Sequence, residues 1–354
     1  MDEMKQLYII SQNDIWSEVL KNFETIDCYY SYEYGNLFAK NEMGKLYAAY
    51  YEDDNAKIFY PFIKRKVPFI EEELYDIVTP YGYGGPFIQG SCQSVYEFYE
   101  MFGSYCQSHH IITETIRFHP FYDNYKVFEE LFEIEYIRKT TGVDLTVPMH
   151  EIRNNYSSMN KRNIRKARAN NLHCFIAEKN EQNIKNFIDL YKETMDRNKA
   201  SSYYYFDDEY FFEQVKNTEI SETYLLFTEL NNRIIAGVLI LVGKEFSHYH
   251  LGASRTEYLD LKPNNLLFDY MIEFCKCKGS SMLHLGGGYQ EDDGLFKFKS
   301  SFTNHNHYNY FLGKKIHNEE KYNEIIDCLR LQYTFDENYF PSYRGDLKKK
   351  TVCY

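Results

Sequence analysis

The chain reads as an α/β protein (an α+β layering) made of two tandem halves, each a mixed twisted sheet flanked by helices. Two observations predict this. Runs with strand-like alternation are interspersed with runs whose apolar residues recur at helical spacing. One order of elements also occurs twice: hairpin, strand ending in glycine, amphipathic helix, short strand. A strand–helix–strand unit of that length implies a parallel pair with a right-handed crossover. Its recurrence implies an internal duplication. At 354 residues the chain has room for both halves.

In the first half, Asn36 to Lys40, Lys45 to Tyr51 and Ala56 to Lys64 read as short strands separated by Gly44 and by Asp53-Asp54-Asn55. Asp76 to Ile88 is an extended run that ends in glycines. Val95, Phe98, Tyr99, Phe102, Tyr105 and Cys106 mark one helix face, with Ser94 and Glu97 at capping-box spacing. Ile111 to Phe118 is the next strand. Asp144 to Val147 reads as a strand, and Pro148 as a boundary.

The second half opens on a basic segment, Glu151 to Asn171, followed by the strand Leu172 to Ala177. Ile184, Phe187, Ile188, Tyr191 and Met195 mark a helix, and Ser201 to Asp208 is a tyrosine-rich loop. Thr223 to Leu230 and Arg233 to Val242 flank Asn231-Asn232, a two-residue hairpin signal. Phe246 to Leu251 runs into Gly252. A helix follows with Leu266, Leu267, Tyr270, Met271, Phe274 and Cys275 buried, Asn264 or Asn265 as N-cap, and Gly279 past its end. Met282 to Leu285 is the returning strand. It loses its side chains at Gly286, Gly287 and Gly288, where a ligand can approach the backbone. The run Phe296-Lys297-Phe298-Lys299 alternates like a strand, which would put Lys297 and Lys299 on one face. Tyr322, Ile325, Ile326 and Leu329 mark a last helix. The expected domains are 1–147 with about 332–354, and 148–331.

Composition narrows the function. Net charge is −12, which argues against DNA and against any sequence-blind nucleic-acid binding, because such binding rests on clustered Lys and Arg. The eight cysteines, Cys353 among them, form no Cys-x-x-Cys pair and read as free thiols. Met1 to Lys5 and the short apolar run after it do not make a signal peptide, and no stretch approaches the roughly 20 apolar residues of a membrane span. The expected location is the cytoplasm.

Five motifs in order resemble those of FemAB-like proteins. They are Thr79-Pro80-Tyr81-Gly82-Tyr83-Gly84-Gly85-Pro86, Lys161-Arg162-Asn163-Ile164-Arg165-Lys166-Ala167, and His250-Leu251-Gly252-Ala253 with Pro263-Asn264. Leu285-Gly286-Gly287-Gly288 and Phe298-Lys299-x-x-Phe302 complete the set. The resemblance spans roughly residues 58–344. It implies two GNAT-type acyltransferase domains and the making of an amide by acyl transfer to an amine. The implied acceptor is a cell-envelope sugar or peptide precursor, nucleotide- or lipid-linked. The implied co-substrate is acyl-CoA or aminoacyl-tRNA, with no tightly bound cofactor. The loop Gly252 to Pro263 departs from the Q/R-x-x-G-x-G/A pattern of acyl-CoA-binding GNAT enzymes, and no long helical arm is evident.

On that resemblance Lys299 is the expected oxyanion-stabilising cation, with Phe298 and Gly286 to Gly288 beside the substrate. Arg162 and Arg165, three apart, share a helix face with Lys166 and suit phosphate groups; a solvated basic face is the competing reading. Tyr81, Tyr83 and Gly84 are expected to shape an acceptor groove. Asp292, or its neighbour Asp293, is the candidate general base, against the alternative of a turn carboxylate. His248, His250 and His284 read as packed histidines, not a metal site, since zinc ligands show tighter sets with thiols or carboxylates.

Overall fold

The computed structural model describes residues 5–350. Met1 to Met4 and Cys353 lie outside the described residues. The chain forms two compact units. The first comprises residues up to Glu24, Tyr32–Ile137 and the chain from Tyr310 on; the second comprises Thr25–Ser31 and Arg138–Asn309. The units divide at 137 and 309, inside strands, where the sequence suggested 147 and 331.

The first unit contains β1 (Gln6–Ile10), α1 (Asn13–Leu20), α2 (Tyr32–Asn41), β2 (Lys45–Glu52), β3 (Ala56–Lys66), β4 (Tyr75–Val78), β5 (Phe87–Gly90), α3 (Ser94–Ser108) and β6 (Ile111–Arg117). Its sheet follows the order β1-β2-β3-β4-β6, with β5 also on β3 and β4 parallel to β6. The helix α3 therefore crosses over between parallel strands, as its amphipathic face implied. Aromatic rings dominate this core: Tyr60, Phe62, Phe98 and Phe102 are fully buried and meet mostly edge to face.

Two local expectations fail here. Asn36 to Lys40 is not a strand but part of α2. Tyr34, Leu37 and Phe38 are buried at i, i+3 and i+4, a period too short a run could not reveal. The Ser94–Glu97 pair is not a capping box. Ser94 is the first helical residue, and the Glu97 carboxylate instead accepts from Lys5 Nζ at 2.7 Å and Tyr51 Oη at 3.2 Å.

The chain leaves this unit along β7 (Glu133–Asp144). Asp144 ends that strand and does not begin one; Glu133, Glu135, Arg138 and Lys139 hide it from a hydrophobic reading. The second unit continues with α4 (Met149–Asn155), α5 (Ser158–Ala169), β8 (His173–Ala177), α6 (Glu181–Asn198), α7 (Asp208–Gln214), β9 (Ser221–Leu230), β10 (Arg233–Gly243), β11 (Phe246–Ser254), α8 (Pro263–Cys277), β12 (Met282–Gly286) and α9 (Gly294–Ser300). The order is β7-β12-β11-β10-β9-β8, with only β11 and β12 parallel. Asn231 and Asn232 have φ of 50° and 61°, the left-handed pair that a tight hairpin requires. Unit 2 thus repeats the hairpin–strand–helix–strand order of unit 1.

The start of α8 also departs from expectation. Pro263 is its first residue and Asn264 and Asn265 lie inside the first turn. Proline's missing N–H costs nothing at that position. The run Gly294 to Ser300 is a helix and not a strand. The Asp293 carboxylate accepts from Phe296 N at 2.8 Å, and Phe296, Lys299 and Ser300 are buried at i, i+3 and i+4. Lys297 and Lys299 therefore point to different sides: Lys297 is exposed and Lys299 buried.

After α9 the chain returns to the first unit. The strand β13 (His307–Ile316) adds Leu312–Ile316 antiparallel to β6, and α10 (Glu319–Gln332) packs Ile325, Ile326 and Leu329 against Val67, Leu74 and Tyr343.

Candidate functional site

In unit 2 the parallel pair β11–β12 is short. It holds only from Phe246–His248 against Met282–His284. β12 stays with β7, Gly286 lying opposite Thr141. On the other side β11 carries one extra residue against β10: Leu251 faces Leu239 and Tyr249 faces Ile240, which leaves His250 in a bulge. Where the pairing stops, a cleft of about 220 Å³ opens. Its walls are Tyr249, Gly252, Ala253 and Ser254 from β11, Thr194 and Arg197 from α6, Asn264, Leu267 and Phe268 from α8, and Tyr289, Leu295 and Phe298. Glycine at 252 leaves room for the Tyr249 ring, whose hydroxyl would lie 2.0 Å from a Cβ there and would have to move aside.

Lys299 occupies the fork between the two strands. Its ammonium donates to the Gly287 carbonyl at 2.8 Å and lies 5.0 Å from the centre of the Tyr249 ring. The side chain is only 6% exposed. Burial pulls its pKa from the ordinary 10.5 down to about 7; the Asp293 charge opposes that fall and Arg138 adds to it.

The turn that carries the glycines is held rigidly. Gly286 has φ +73°, and a Cβ on Gly287 would meet the Lys139 carbonyl at 2.8 Å. A Cβ on Gly288 would lie 2.0 Å from the Asp293 carboxylate. Arg138 Nη1 donates to the carbonyls of Gly288 at 2.7 Å and Tyr289 at 2.9 Å. Asp293 also accepts from Tyr289 N at 2.6 Å and Gln290 N at 3.1 Å. Burial, the largest single influence, raises its pKa, but these backbone bonds together hold the pKa below the usual carboxylate value. Asp293 is thus an anchor of the turn, whereas Asp292 is exposed with φ 52°.

A second cleft of about 410 Å³ lies alongside, lined in part by Asn160, Asn163, Lys262, Pro263, Gly294 and Lys297. Asn264 and Phe298 line both clefts. Phe298 is fixed by Phe268 at 4.9 Å and Phe302 at 5.4 Å between ring centres.

The other sequence candidates are distributed as follows. Arg162, Arg165 and Lys166 are exposed on α5, and Arg165 Nε donates to the Lys161 carbonyl at 3.3 Å. None of the three lines either cleft; Asn160 and Asn163 of the same helix do. In unit 1, Tyr81 stacks on Phe38 at 5.1 Å, Tyr83 meets Tyr310 edge to face at 5.3 Å, and the Gly84 carbonyl accepts from Asn124 Nδ2 at 3.0 Å. His248 lies 2.7 Å from an Asp27 carboxylate oxygen and 5.7 Å from the His284 ring. His250 meets the Tyr210 hydroxyl at 2.8 Å, and burial followed by the charge of His248 lowers its pKa to about 3.

Tyr249, Arg197 and Thr194 were not singled out from sequence. The signal for the last two was present: polar residues three apart on the buried stripe of α6, where Arg197 Nη1 donates to the Ser254 carbonyl at 2.8 Å and Thr194 Oγ1 accepts from Ser254 N at 2.9 Å.

Among the described residues no helix is long and apolar enough to cross a membrane. Residues 156–300 match the family described as acetyltransferase (GNAT) domain. No curated protein matches. Three solved structures show the same fold at low identity. FemX superposes with TM-score 0.65 at 15% identity, covering 92% of this chain and all of its own. L-PGS from Bacillus licheniformis gives 0.58 at 11%, covering 86% and 92%. The C-terminal domain of a putative lysylphosphatidylglycerol synthetase from Agrobacterium fabrum gives 0.54 at 11%, covering 88% and 94%. Residues 156–300 therefore match a GNAT domain model, and the chain has a FemX-like fold.

Proposed function

We propose that this chain is an N-acyltransferase that moves an acyl group, acetyl or aminoacyl, from a CoA thioester or a tRNA ester to an amine. The acceptor is the amine of a cell-envelope sugar or peptide precursor, nucleotide- or lipid-linked. The observation that supports this reading is Lys299, a buried ammonium that donates to the Gly287 carbonyl behind Tyr249, which walls the smaller cleft; Lys299 itself does not line that cleft. The amine nitrogen attacks the acyl carbonyl carbon and forms the C–N bond. The carbonyl oxygen becomes an oxyanion, which the Lys299 ammonium stabilises; such a donor is worth about 3–4 kcal/mol. The C–S or C–O bond then breaks, and the carrier leaves with the electron pair. The amine proton passes through water to Asp292, exposed on the turn whose ends at Tyr289 and Gly294 line the two clefts, and from there by solvent to the departed carrier.

The larger cleft, with Lys262 and Lys297 at its wall, suits a donor's phosphates. The basic face of Arg162, Arg165 and Lys166 attracts a phosphate-bearing partner from outside. Tyr81, Tyr83 and Gly84 belong to the acceptor side. The printed names FemX and lysylphosphatidylglycerol synthetase accord with envelope chemistry. A tRNA-dependent ligase of peptidoglycan bridges shares every step and differs in donor. A non-catalytic binder of the same precursors would not need Lys299.

The test is a thermal-shift panel of acyl-CoAs, charged tRNA and nucleotide sugars, followed by mass detection of acylated acceptor. Lys299→Met should lower turnover by about 10²–10³ with donor binding kept. Unchanged turnover in that variant removes the catalytic assignment.

A further inference from the structure

The hairpin tip between β3 and β4 presents an aromatic ring to water from an unfavourable backbone. Phe69 is 63% exposed and has φ +68°, in the left-handed region where its Cβ crowds the chain. Its ring centre lies 5.9 Å from that of Tyr333, the residue that follows α10, and Leu331 in the last turn of α10 is 80% exposed. Single apolar residues are ordinary on a surface. Two large ones at one end of one helix, the first of them strained, make a patch.

Charge is sorted to either side of that patch. At one end Glu71, Glu72 and Glu73 are exposed, and Glu72 reaches Lys321 in the first turn of α10 at 3.3 Å. Glu319, Glu320 and Glu324 are exposed on the same turns, and Lys321 is shared with Glu324 at 3.0 Å, so this end is acidic on balance. At the other end β14 (Tyr333–Thr334) pairs with β15 (Lys348–Lys349), Tyr333 opposite Lys349. Lys348, Lys349 and Lys350 are exposed there, and Lys350 N donates to the Gln332 carbonyl at 2.8 Å. Of the acids near these lysines in sequence, Glu337 is held by Arg330 at 3.0 Å and Asp336 accepts from Asn338 N at 2.9 Å; Asp346 is exposed just before them. The two ends are separated by most of the length of α10, about 20 Å. Among the described residues no ion pair joins Glu71–Glu73 to Lys348–Lys350.

We propose that this surface is the contact between two copies of the chain, related by a two-fold axis passing beside Phe69 and Tyr333. Such an axis sets the acidic end of each copy on the basic end of the other and buries the aromatic rings between them. A patch with both signs arranged about an apolar centre complements itself, whereas a partner of one sign meets its own charge at one end. An anionic lipid surface is such a partner: it attracts the lysines and repels the glutamates, in a chain whose net charge is −12. The proposal is independent of the acyltransferase reading, since these residues belong to unit 1 and line neither cleft of unit 2.

Sedimentation of the full chain over about 1–100 μM should show the mean mass rising toward twice that of the monomer, less steeply as salt is added. Two variants each reverse one end: Glu71→Lys with Glu73→Lys, and Lys348→Glu with Lys349→Glu. All four side chains are exposed, so melting temperatures should stay within a degree or two. Each variant alone should self-associate at least tenfold more weakly, because like charges then meet across the axis. Mixed in equal amounts the two should regain association, and so should one chain carrying all four changes; damage to folding cannot produce that recovery. Phe69→Asn, which tolerates the left-handed backbone, should weaken the dimer at least tenfold. A wild type that stays monomeric at 100 μM overturns the proposal, as does a dimer that both variants keep or a mixture that fails to recover. Monomers that bind phosphatidylglycerol vesicles, and lose that binding in Lys348→Glu with Lys349→Glu, overturn it in favour of a membrane.

Discussion

Replacing Lys299 by methionine should make the protein more stable at neutral pH while sharply lowering its activity. The ammonium is buried, and its pKa falls from 10.5 to about 7. At about 1.4 kcal/mol for each tenfold change in acidity, holding that group in the fork costs on the order of 5 kcal/mol at pH 7. Methionine fills the same space without a charge. It leaves the Gly287 carbonyl without its donor, which costs about 1–3 kcal/mol. The variant should therefore gain about 2–4 kcal/mol at pH 7, visible as a rise of several degrees in melting temperature. The pH dependence gives the decisive reading. In the folded chain the ammonium gives up its proton near pH 7, in the unfolded chain near 10.5, so between these values the unfolded state binds more protons and wild-type stability rises with pH. Denaturant unfolding of both proteins from pH 6 to 10.5 should show the methionine advantage full below pH 7 and gone by about pH 10. A gap that stays flat across this range would falsify the buried-cation account. Turnover should fall by about 10²–10³ in the variant.

Asp293→Ala removes the acceptor of three backbone N–H groups and should lower stability by about 1–2 kcal/mol, read by thermal melts; Asp292→Asn, on an exposed turn, should change it by less than about 0.5. Asp292→Asn should still slow turnover, and an unchanged rate excludes it as acceptor of the amine proton. Asp269 is buried and accepts from Arg153 Nε at 2.8 Å, Arg168 Nη2 at 2.8 Å and Tyr156 Oη at 3.2 Å, so Asp269→Asn should cost about 3–5 kcal/mol in urea unfolding. Changing Arg162, Arg165 and Lys166 together to alanine should leave the melting temperature within a degree or two and flatten the salt dependence of donor affinity. An unaltered salt slope assigns that face to solvent alone.

Much of the architecture was legible because it rests on periodicity. Leu266, Leu267, Met271 and Cys275 announced α8, Asn231-Asn232 its hairpin, and the recurring order the duplication. What escaped depended on neighbours distant in sequence or on a short window. Phe296 to Lys299 alternates apolar and charged residues over four positions, too few to separate period 2 from period 3.6. The cap at Asp293 and the burial of Phe296, Lys299 and Ser300 decided for the helix. The lysine of the fork was found through its motif, but its depth came only from the packing around Tyr249. The cleft walls at Thr194 and Arg197 are set by a strand terminus some sixty residues later in the chain. The basic face of α5 was conspicuous by composition, yet the clefts use Asn160 and Asn163 of that helix instead.

The short segment Thr25–Ser31 belongs to the unit otherwise formed by Arg138–Asn309, and the chain from Tyr310 on belongs to the other. Each unit is thus stitched from stretches made early and late in synthesis. A ribosome that has just released residue 309 holds one unit ready to close around Asp27 and His248, and another still lacking its strand β13 and helix α10. No single scissor cut in the gene yields either one whole, so dissection of this protein calls for circular permutation or co-expressed pieces, not simple truncation.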